Sequence, residues 1–189
     1  GFGDDDRATH VAAGAKVGST SDTLNGANII FKVRAPEAAE LATYPKGAAL
    51  VALLDPYAAK KEAAAWAAQG LVAIAMEFVP RITRAQSMDV LSSQANLAGY
   101  RAIIEGSQLY GRALPMMMTA AGTVAAAKVF VMGAGVAGLQ AIATARRLGG
   151  VVSATDVRPA SKEQVASLGA KFIAVEDEEF KAAETAAGY

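Results

Sequence analysis

The chain has 189 residues, enough for one large domain or two small ones, and 53% of them are hydrophobic, so it can bury a core. Its 18 Lys and Arg residues balance its 18 Asp and Glu residues, which argues against nucleic acid or an anionic membrane surface as partner. Without cysteine there is no disulfide, thiolate nucleophile or cysteine-bound metal, and we predict no metal site.

We predict no membrane span. A span needs about 20 consecutive apolar residues, and the longest charge-free runs, 113–127 and 129–145, are shorter and contain glycine. The first residues, Gly-Phe-Gly and three aspartates, have neither an initiating Met nor the basic segment of a secretory signal. We therefore expect the chain to come from within a longer protein.

The first half of the chain alternates short apolar runs with alanine-rich stretches. The apolar runs predict buried parallel strands at 29–33, 49–54 and 71–76. Helices are predicted near 6–13, after Pro36 and over 58–69. Strand, helix and strand in this order predict an α/β fold with a parallel sheet and right-handed crossovers.

A long helix is predicted from Ala85 to about Arg112, because apolar residues recur there at helical spacing without proline. Segment 114–123, with proline, glycine and three methionines, then breaks the pattern. We therefore divide the chain into a first lobe with its long helix, 1–112, and a second lobe, 113–189.

The second lobe has a clearer pattern of strands and helices. Strands are predicted at 128–132, 151–155 and 171–175, and helices at 136–148 and 161–168. Ser161 and Gln164 stand at capping-box spacing at the start of the last helix. The chain stops before a six-stranded sheet is complete.

Residues 133–138 read Gly-Ala-Gly-Val-Ala-Gly. This pattern follows a predicted strand, opens a predicted helix, and precedes Asp156 at the end of the next strand, as a dinucleotide-binding fingerprint requires. The first glycine permits a tight turn, the second lets the backbone approach a pyrophosphate, and the third lets helix and strand pack closely. The cofactor-binding residues predicted at this loop are Gly133, Gly135, Val136, Ala137 and Gly138. The alternative is a glycine-rich turn beside a surface aspartate.

Asp156, Val157 and Arg158 are assigned to the same cofactor site. The Asp156 carboxylate can accept both ribose hydroxyls and repels a 2′-phosphate, which favours NAD(H) over NADP(H). Arg158 can pair with a phosphate, which weakens that preference.

A second polar cluster follows the third strand. It comprises Arg81, Arg84, Gln86, Asp89, Ser92 and Ser93. Ligands gather at the carboxyl edge of open α/β sheets, and in a helix that starts near Ala85, Asp89 and Ser92 share a face. A carboxylate, a hydroxyl and an amide can bind both ends of a carboxamide. A capped helix start with solvated charges explains the cluster equally well.

Three segments carry a resemblance to a known family: MEFVPRITRAQSMDVLSSQANLAGY at 76–100, PMMMTAAGTV at 115–124 and VMGAGVAGLQAIATARRLGG at 131–150. Together they closely resemble the NAD(H)-binding domain of proton-translocating NAD(P) transhydrogenase. The resemblance implies two Rossmann-like lobes with parallel sheets joined by a long helix, NAD(H) in the cleft, and a homodimer. Family members begin with a strand and a basic segment that this chain lacks, so we expect both lobes to be incomplete.

The resemblance also implies residue roles. The family's nicotinamide-contacting residues fall on Arg81, Gln86, Asp89 and Ser92, of which we assign Gln86 and Asp89 as catalytic. The ribose-binding acid falls on Asp156, and a tyrosine of a mobile loop falls on Tyr189. In the family, hydride passes to NADP⁺ on a separate domain, coupled to proton movement through a membrane domain. This implies a position peripheral to the inner membrane, on its cytoplasmic or matrix side.

Two alternatives remain. Alanine dehydrogenase, a related enzyme, needs a proton donor and cations for a carboxylate. The single histidine, His10, lies in a predicted N-terminal helix, and residues 53–56 read Leu-Leu-Asp-Pro where related enzymes carry a catalytic histidine, although Lys32 and Arg34 can hold a carboxylate. A non-catalytic NAD-sensing module needs the glycine motif but not the second cluster. Direct transfer between two nicotinamides needs no protein acid or base, so transhydrogenation is favoured.

Overall fold

The computed structural model describes residues 4–80, 82–175, 180 and 183. Two compact units divide the chain, Gly1–Val90 and Leu91–Tyr189, each with its own parallel sheet and core. The division lies at the start of the long helix, whereas the predicted boundary at 112/113 lies beyond its end. The predicted domain boundary at 112/113 therefore stays a prediction.

The first unit contains a three-stranded parallel sheet in the order β1-β2-β3. Its elements are α1 Asp4–Ala12, α2 Thr20–Leu24, β1 Ile29–Arg34, α3 Ala38–Leu41, β2 Ala49–Leu53, α4 Lys60–Ala68, β3 Val72–Ala75 and two 3₁₀ helices, Met76–Phe78 and Thr83–Met88. Ile30, Leu50 and Trp66 are buried in its core. Because side chains alternate along a strand, Ile29 and Phe31 lie on the other face of β1 and are exposed.

The second unit contains a parallel sheet in the order β6-β7-β8. Its elements are α5 Val90–Tyr110, a hairpin of β4 Met117–Thr119 and β5 Gly122–Val124, then β6 Lys128–Met132, α6 Val136–Arg147, β7 Val151–Thr155, α7 Ser161–Ser167 and β8 Lys171–Phe172. Its core includes Ile142, Val152 and Val165. Parallel sheets in both units and the 21-residue α5 confirm the predicted α/β class.

The start of the long helix was predicted wrongly. Residues Thr83–Met88 form a 3₁₀ helix, and Asp89, with φ −76° and ψ 82°, interrupts the helical path before α5 begins at Val90. The inference that Asp89 and Ser92 share a face of one helix is therefore also wrong. Asp89 instead takes the position just before the helix, where aspartate is favoured because its side chain can accept from first-turn N–H groups.

The capping box predicted at Ser161 is wrong as well. The residue before α7 is Ala160, which makes no side-chain cap hydrogen bond, and the Ser161 side chain is buried within the helix. The chain already turns one residue earlier, because the Ser161 N–H donates to the carbonyl of Arg158. The last strand is also shorter than predicted.

Within the residues that the structure describes, no helix is both long enough and apolar enough to cross a membrane.

Candidate functional site

The glycine loop lies between β6 and α6. Gly133 has φ +94°, which is open to glycine but strained for other residues. Its N–H donates to the carbonyl of Thr155 over 2.8 Å, and this bond ties the loop to the end of β7. The positive φ agrees with the role of the first glycine of the fingerprint, which is to permit a tight turn.

The two other glycines of the motif meet opposite surroundings. A Cβ atom at Gly138 would lie 1.8 Å from the carbonyl oxygen of Gly133, so the first turn of α6 packs directly on the loop backbone. A Cβ atom at Gly135 would have no neighbour within 4 Å. Gly135 precedes α6 and makes no side-chain cap. The loop is therefore closely packed where Gly138 meets Gly133 and open at Gly135, where another molecule can approach the backbone.

The Asp156 carboxylate lies at the end of β7, and its side chain is only 7% exposed. One oxygen accepts from the N–H of Ala134 over 2.6 Å, inside the glycine loop. The other oxygen accepts from the N–H and from Nε of Arg158, each over 2.9 Å. The carboxylate therefore holds the loop and the Arg158 guanidinium together.

These contacts fix the charge of Asp156. Burial alone favours the protonated form. It is outweighed by the hydrogen bonds from the Arg158 side chain and from the N–H groups of Ala134 and Arg158, and by the charge of Arg158, so the pKa of Asp156 is lowered to about 2. The pKa of Arg158 is raised, first by its hydrogen bond to Asp156. The site therefore presents an ionised acid at neutral pH.

A cleft of about 360 Å³ opens beside this carboxylate. It lies at the carboxyl ends of the strands, and its lining includes Asp156, Thr155 and three exposed apolar residues, Met132, Val157 and Val175. A lining that includes both polar groups and apolar side chains suits a ligand that has both hydroxyl groups and a flat apolar ring.

The second predicted cluster is only partly described. Arg84 and Gln86 are exposed in the 3₁₀ helix, which is anchored by the buried Ala85. Asp89 and Ser92 are partly buried around the start of α5, and Ser93 is exposed. Arg81 and Tyr189 lie outside the described residues.

Sequence reasoning missed one residue of the first unit. The Glu77 carboxylate, just after β3, accepts from the N–H groups of Leu54 and Asp55 over 3.1 and 2.7 Å. Burial acts against the charge of Glu77, but the hydrogen bonds from Asp55, from its own N–H and from Leu54 lower its pKa. The signal was available, since an acid directly after a strand lies at the carboxyl edge of the sheet.

Lys32, one of the two cations that the alanine dehydrogenase alternative can use, is already paired. The Lys32 ammonium contacts the Glu40 carboxylate. Partial burial lowers the pKa of Lys32, but the contacts with Glu40 and Tyr44 outweigh it and raise the pKa. His10 lies on α1 at an exposed position.

The chain matches one known protein family over nearly its whole length. Residues 4–98 match the family described as alanine dehydrogenase/PNT, N-terminal domain, and residues 102–188 match alanine dehydrogenase/PNT, C-terminal domain. The chain therefore belongs to the alanine dehydrogenase/PNT family. This confirms the relationship inferred from the three segments.

Similar proteins match nearly the whole length of the chain. The first portion of the NAD(P) transhydrogenase alpha subunit of Rhodospirillum rubrum is 56% identical over 184 residues, which cover 94% of this chain and 48% of that protein. The corresponding protein of Rickettsia prowazekii is 51% identical over 191 residues, covering 95% and 50%. The chain thus spans about half the length of these curated relatives.

Two solved structures have the same fold. The transhydrogenase from Sinorhizobium meliloti superposes with a TM-score of 0.82 at 67% identity, covering 87% of this chain and 49% of that one. An L-alanine dehydrogenase superposes with a TM-score of 0.74 at 27% identity, covering 91% and 48%. The higher identity is with the transhydrogenase.

Proposed function

We propose that this chain belongs to the NAD(H)-binding component of a proton-translocating transhydrogenase, which passes hydride between NADH and NADP⁺ held by a partner domain. The observation that carries the proposal is the open backbone at Gly135 beside the ionised Asp156. Identity of 56% to a transhydrogenase subunit over 94% of the chain supports it.

The second unit would hold the adenosine end of NAD(H). Asp156 already accepts four hydrogen bonds, one from the Ala134 N–H and three from Arg158, so ribose hydroxyls would replace bonds from the Arg158 side chain while the Ala134 bond is kept. Val136 and Ala137, in the first turn of α6, offer backbone N–H groups and the positive end of the helix dipole to the pyrophosphate. The apolar walls Met132 and Val175 suit the adenine.

The pairing of Arg158 bears on cofactor choice. Its guanidinium pairs with Asp156 in a partly buried site, and a 2′-phosphate on the ribose would place a second anion close to that carboxylate. NADH is therefore the preferred cofactor of this component, and NADP belongs on the partner domain.

The residues proposed for the nicotinamide end are Arg81, Gln86, Asp89, Ser92 and Tyr189. When bound, the cofactor supplies the hydride. Gln86 and Asp89 would act by orienting the ring, because transfer between two nicotinamides needs close approach, roughly 3–3.5 Å between the reacting atoms, rather than an acid or base. The partners proposed are a second copy of this component, the NADP-binding domain and the membrane domain. The complex would place this component peripherally, on the cytoplasmic or matrix side of the inner membrane.

Two observations disfavour alanine dehydrogenase activity. Lys32 is paired with Glu40, and the backbone of Leu54 and Asp55, where related enzymes carry a histidine, is held by Glu77. Neither the pairing of Lys32 with Glu40 nor the hydrogen bonds of Glu77 would affect a domain that only holds NADH beside a second nicotinamide.

The proposal is tested with the full-length protein, NADH and an oxidised NAD analogue, with and without a partner domain that carries bound NADP⁺ as the hydride relay, and separately with pyruvate and ammonia. We expect transfer only with the partner domain. Oxidation of NADH by pyruvate and ammonia alone would identify an alanine dehydrogenase. Binding of NADH without transfer in any mixture would leave a sensing module.

A further inference from the structure

The second unit contains a close approach between two helix backbones that the nucleotide fingerprint does not include. Gly99 is the buried residue of α5. A Cβ atom there would lie 2.0 Å from the carbonyl oxygen of Ala137 and 2.8 Å from its carbonyl carbon. Real Cβ atoms do not come closer than about 3 Å to other heavy atoms. Only glycine therefore fits at this crossing without moving α6.

The crossing falls on the first turn of α6. Ala137 stands between Val136 and Gly138, in the turn whose N–H groups are proposed to bind the pyrophosphate. The same turn is already in contact with the loop through Gly138, which packs against the carbonyl of Gly133. Two glycine contacts, one from the loop and one from α5, thus fix where this turn lies.

Neighbouring residues of α5 hold the crossing in place. Asn96 donates to the side-chain oxygen of Gln140 on α6 over 3.2 Å, and Ile103 packs against the core of the second unit. Asn96, Gly99 and Ile103 are three and four residues apart, so they lie on one face of α5. That face is directed at α6 and the core, and it leaves α5 little freedom to yield if Gly99 gains a side chain.

We infer that Gly99 is a positioning residue for the pyrophosphate loop, a fourth glycine that stands 34 residues before Gly133 in the sequence. This inference rests on the proposed function. Gly99 does not bind the nucleotide itself; it acts through the backbone of Ala137. A methyl group at Gly99 must displace the first turn of α6, and the N–H groups of that turn then lose their alignment with a pyrophosphate.

The matched variants are Gly99→Ala and Gly106→Ala. Both place alanine in α5, but a Cβ atom at Gly106 meets nothing within 4 Å, and Gly106 is exposed. In the full-length protein, Gly99→Ala is expected to weaken NADH binding at least about tenfold, as for the loss of one charged hydrogen bond. Adenosine, which lacks the pyrophosphate, is expected to bind as before. Gly106→Ala is expected to leave both affinities unchanged. Unchanged NADH affinity in Gly99→Ala, or equal weakening of adenosine, overturns the inference.

A second measurement keeps the inference separate from the proposed function. In protein labelled with ¹⁵N-glycine, Gly99→Ala is expected to shift the amide signals of Gly133, Gly135 and Gly138, and Gly106→Ala is not. If the unmutated protein binds no NADH, the proposed function fails, and these shifts alone decide whether Gly99 positions the loop; unshifted signals overturn it.

If Gly99→Ala does not fold, Asn96→Ala takes its place, because it removes the bond to Gln140 without adding an atom. We then expect the amide signals of Gly133, Gly135 and Gly138 to shift, and NADH binding to weaken by less than the tenfold expected for Gly99→Ala. Signals and affinity that both match the unmutated protein would overturn the inference.

Discussion

The two units share one structural device and differ in the loop that it holds. In each, a carboxylate within two residues of the end of a strand accepts backbone N–H groups from the loop after the neighbouring strand: Glu77 holds Leu54 and Asp55, and Asp156 holds Ala134. In both cases the hydrogen bonds keep the carboxylate ionised. The carboxylate and its hydrogen bonds therefore stabilise the carboxyl edge of a parallel sheet in both units, independently of any ligand.

The loops themselves differ in glycine. The loop of the second unit has Gly133 at φ +94° and an open backbone at Gly135. The loop of the first unit has no glycine, and Asp55 takes a left-handed conformation with φ +48°. Every residue of this loop therefore carries a side chain, and none offers a bare backbone such as that of Gly135. The comparison teaches that the carboxylate organises the loop, whereas glycine makes the loop a candidate nucleotide site.

The largest effect is expected from Gly138→Ala. Its new Cβ would lie 1.8 Å from the carbonyl oxygen of Gly133, so α6 or the loop must move. Overpacking of this kind costs about 1–3 kcal/mol of unfolding free energy. With several charge-assisted hydrogen bonds misaligned, NADH affinity should fall on the order of 100-fold or more. Chemical denaturation and calorimetric titration measure the two effects.

Gly135→Ala is the control for that prediction. Its Cβ meets no atom within 4 Å, so the free energy of unfolding should hardly change, yet NADH binding should weaken because the methyl group stands where the pyrophosphate approaches. If both variants bind NADH as the unmutated protein does, the glycine loop is a structural turn only.

Gln86→Ala should separate orientation from binding. Gln86 is exposed in the 3₁₀ helix, and no binding of adenosine or pyrophosphate is proposed for it. Because misplacing reacting atoms by about 1 Å can slow a reaction on the order of 100-fold, hydride transfer should fall by about that factor while NADH affinity changes little. Ser87→Ala, in the same 3₁₀ helix, is the control. Stopped-flow transfer at an unchanged rate in Gln86→Ala would mean that the cluster only begins a helix.

Asp156→Asn should weaken NADH binding by about 10- to 100-fold, because charged hydrogen bonds contribute roughly 1.5–3 kcal/mol. It should also change the acid stability. The pKa of Asp156 is about 2 in the folded chain, against an ordinary 3.8, so its contribution is present above pH 3.8 and is lost as the pH falls towards 2. That contribution is about 2 kcal/mol. Unfolding curves that lose stability equally in both proteins over this pH window would contradict the prediction.

The sequence predicted the second unit better than the beginning of the long helix, for physical reasons. Strands β6 and β7 match their predicted bounds because apolar runs beside glycine are local signals. The β4–β5 hairpin was not predicted, and the interruption at Asp89 was missed, because apolar spacing continues across it. The role of Gly99 depends on Ala137, 38 positions away, and no local pattern reveals it. The position of Glu77 at the sheet edge could be predicted, but its partners Leu54 and Asp55, 22–23 positions away, could not.

The smallest effect is expected from Glu77→Gln, which tests the first unit's copy of the shared device. The amide has one acceptor oxygen in place of two, so one of the N–H groups of Leu54 and Asp55 loses its partner, at a cost of about 1 kcal/mol in unfolding free energy. Since the folded pKa of Glu77 is lowered, the unmutated protein should also lose this stability as the pH falls through that pKa. NADH affinity should not change.

The control, Asp55→Gly, keeps its N–H and relieves the left-handed conformation, so it should not destabilise the fold. A Glu77→Gln protein that unfolds normally but binds NADH poorly would show that the carboxylate serves the nucleotide site and would break the comparison between the units.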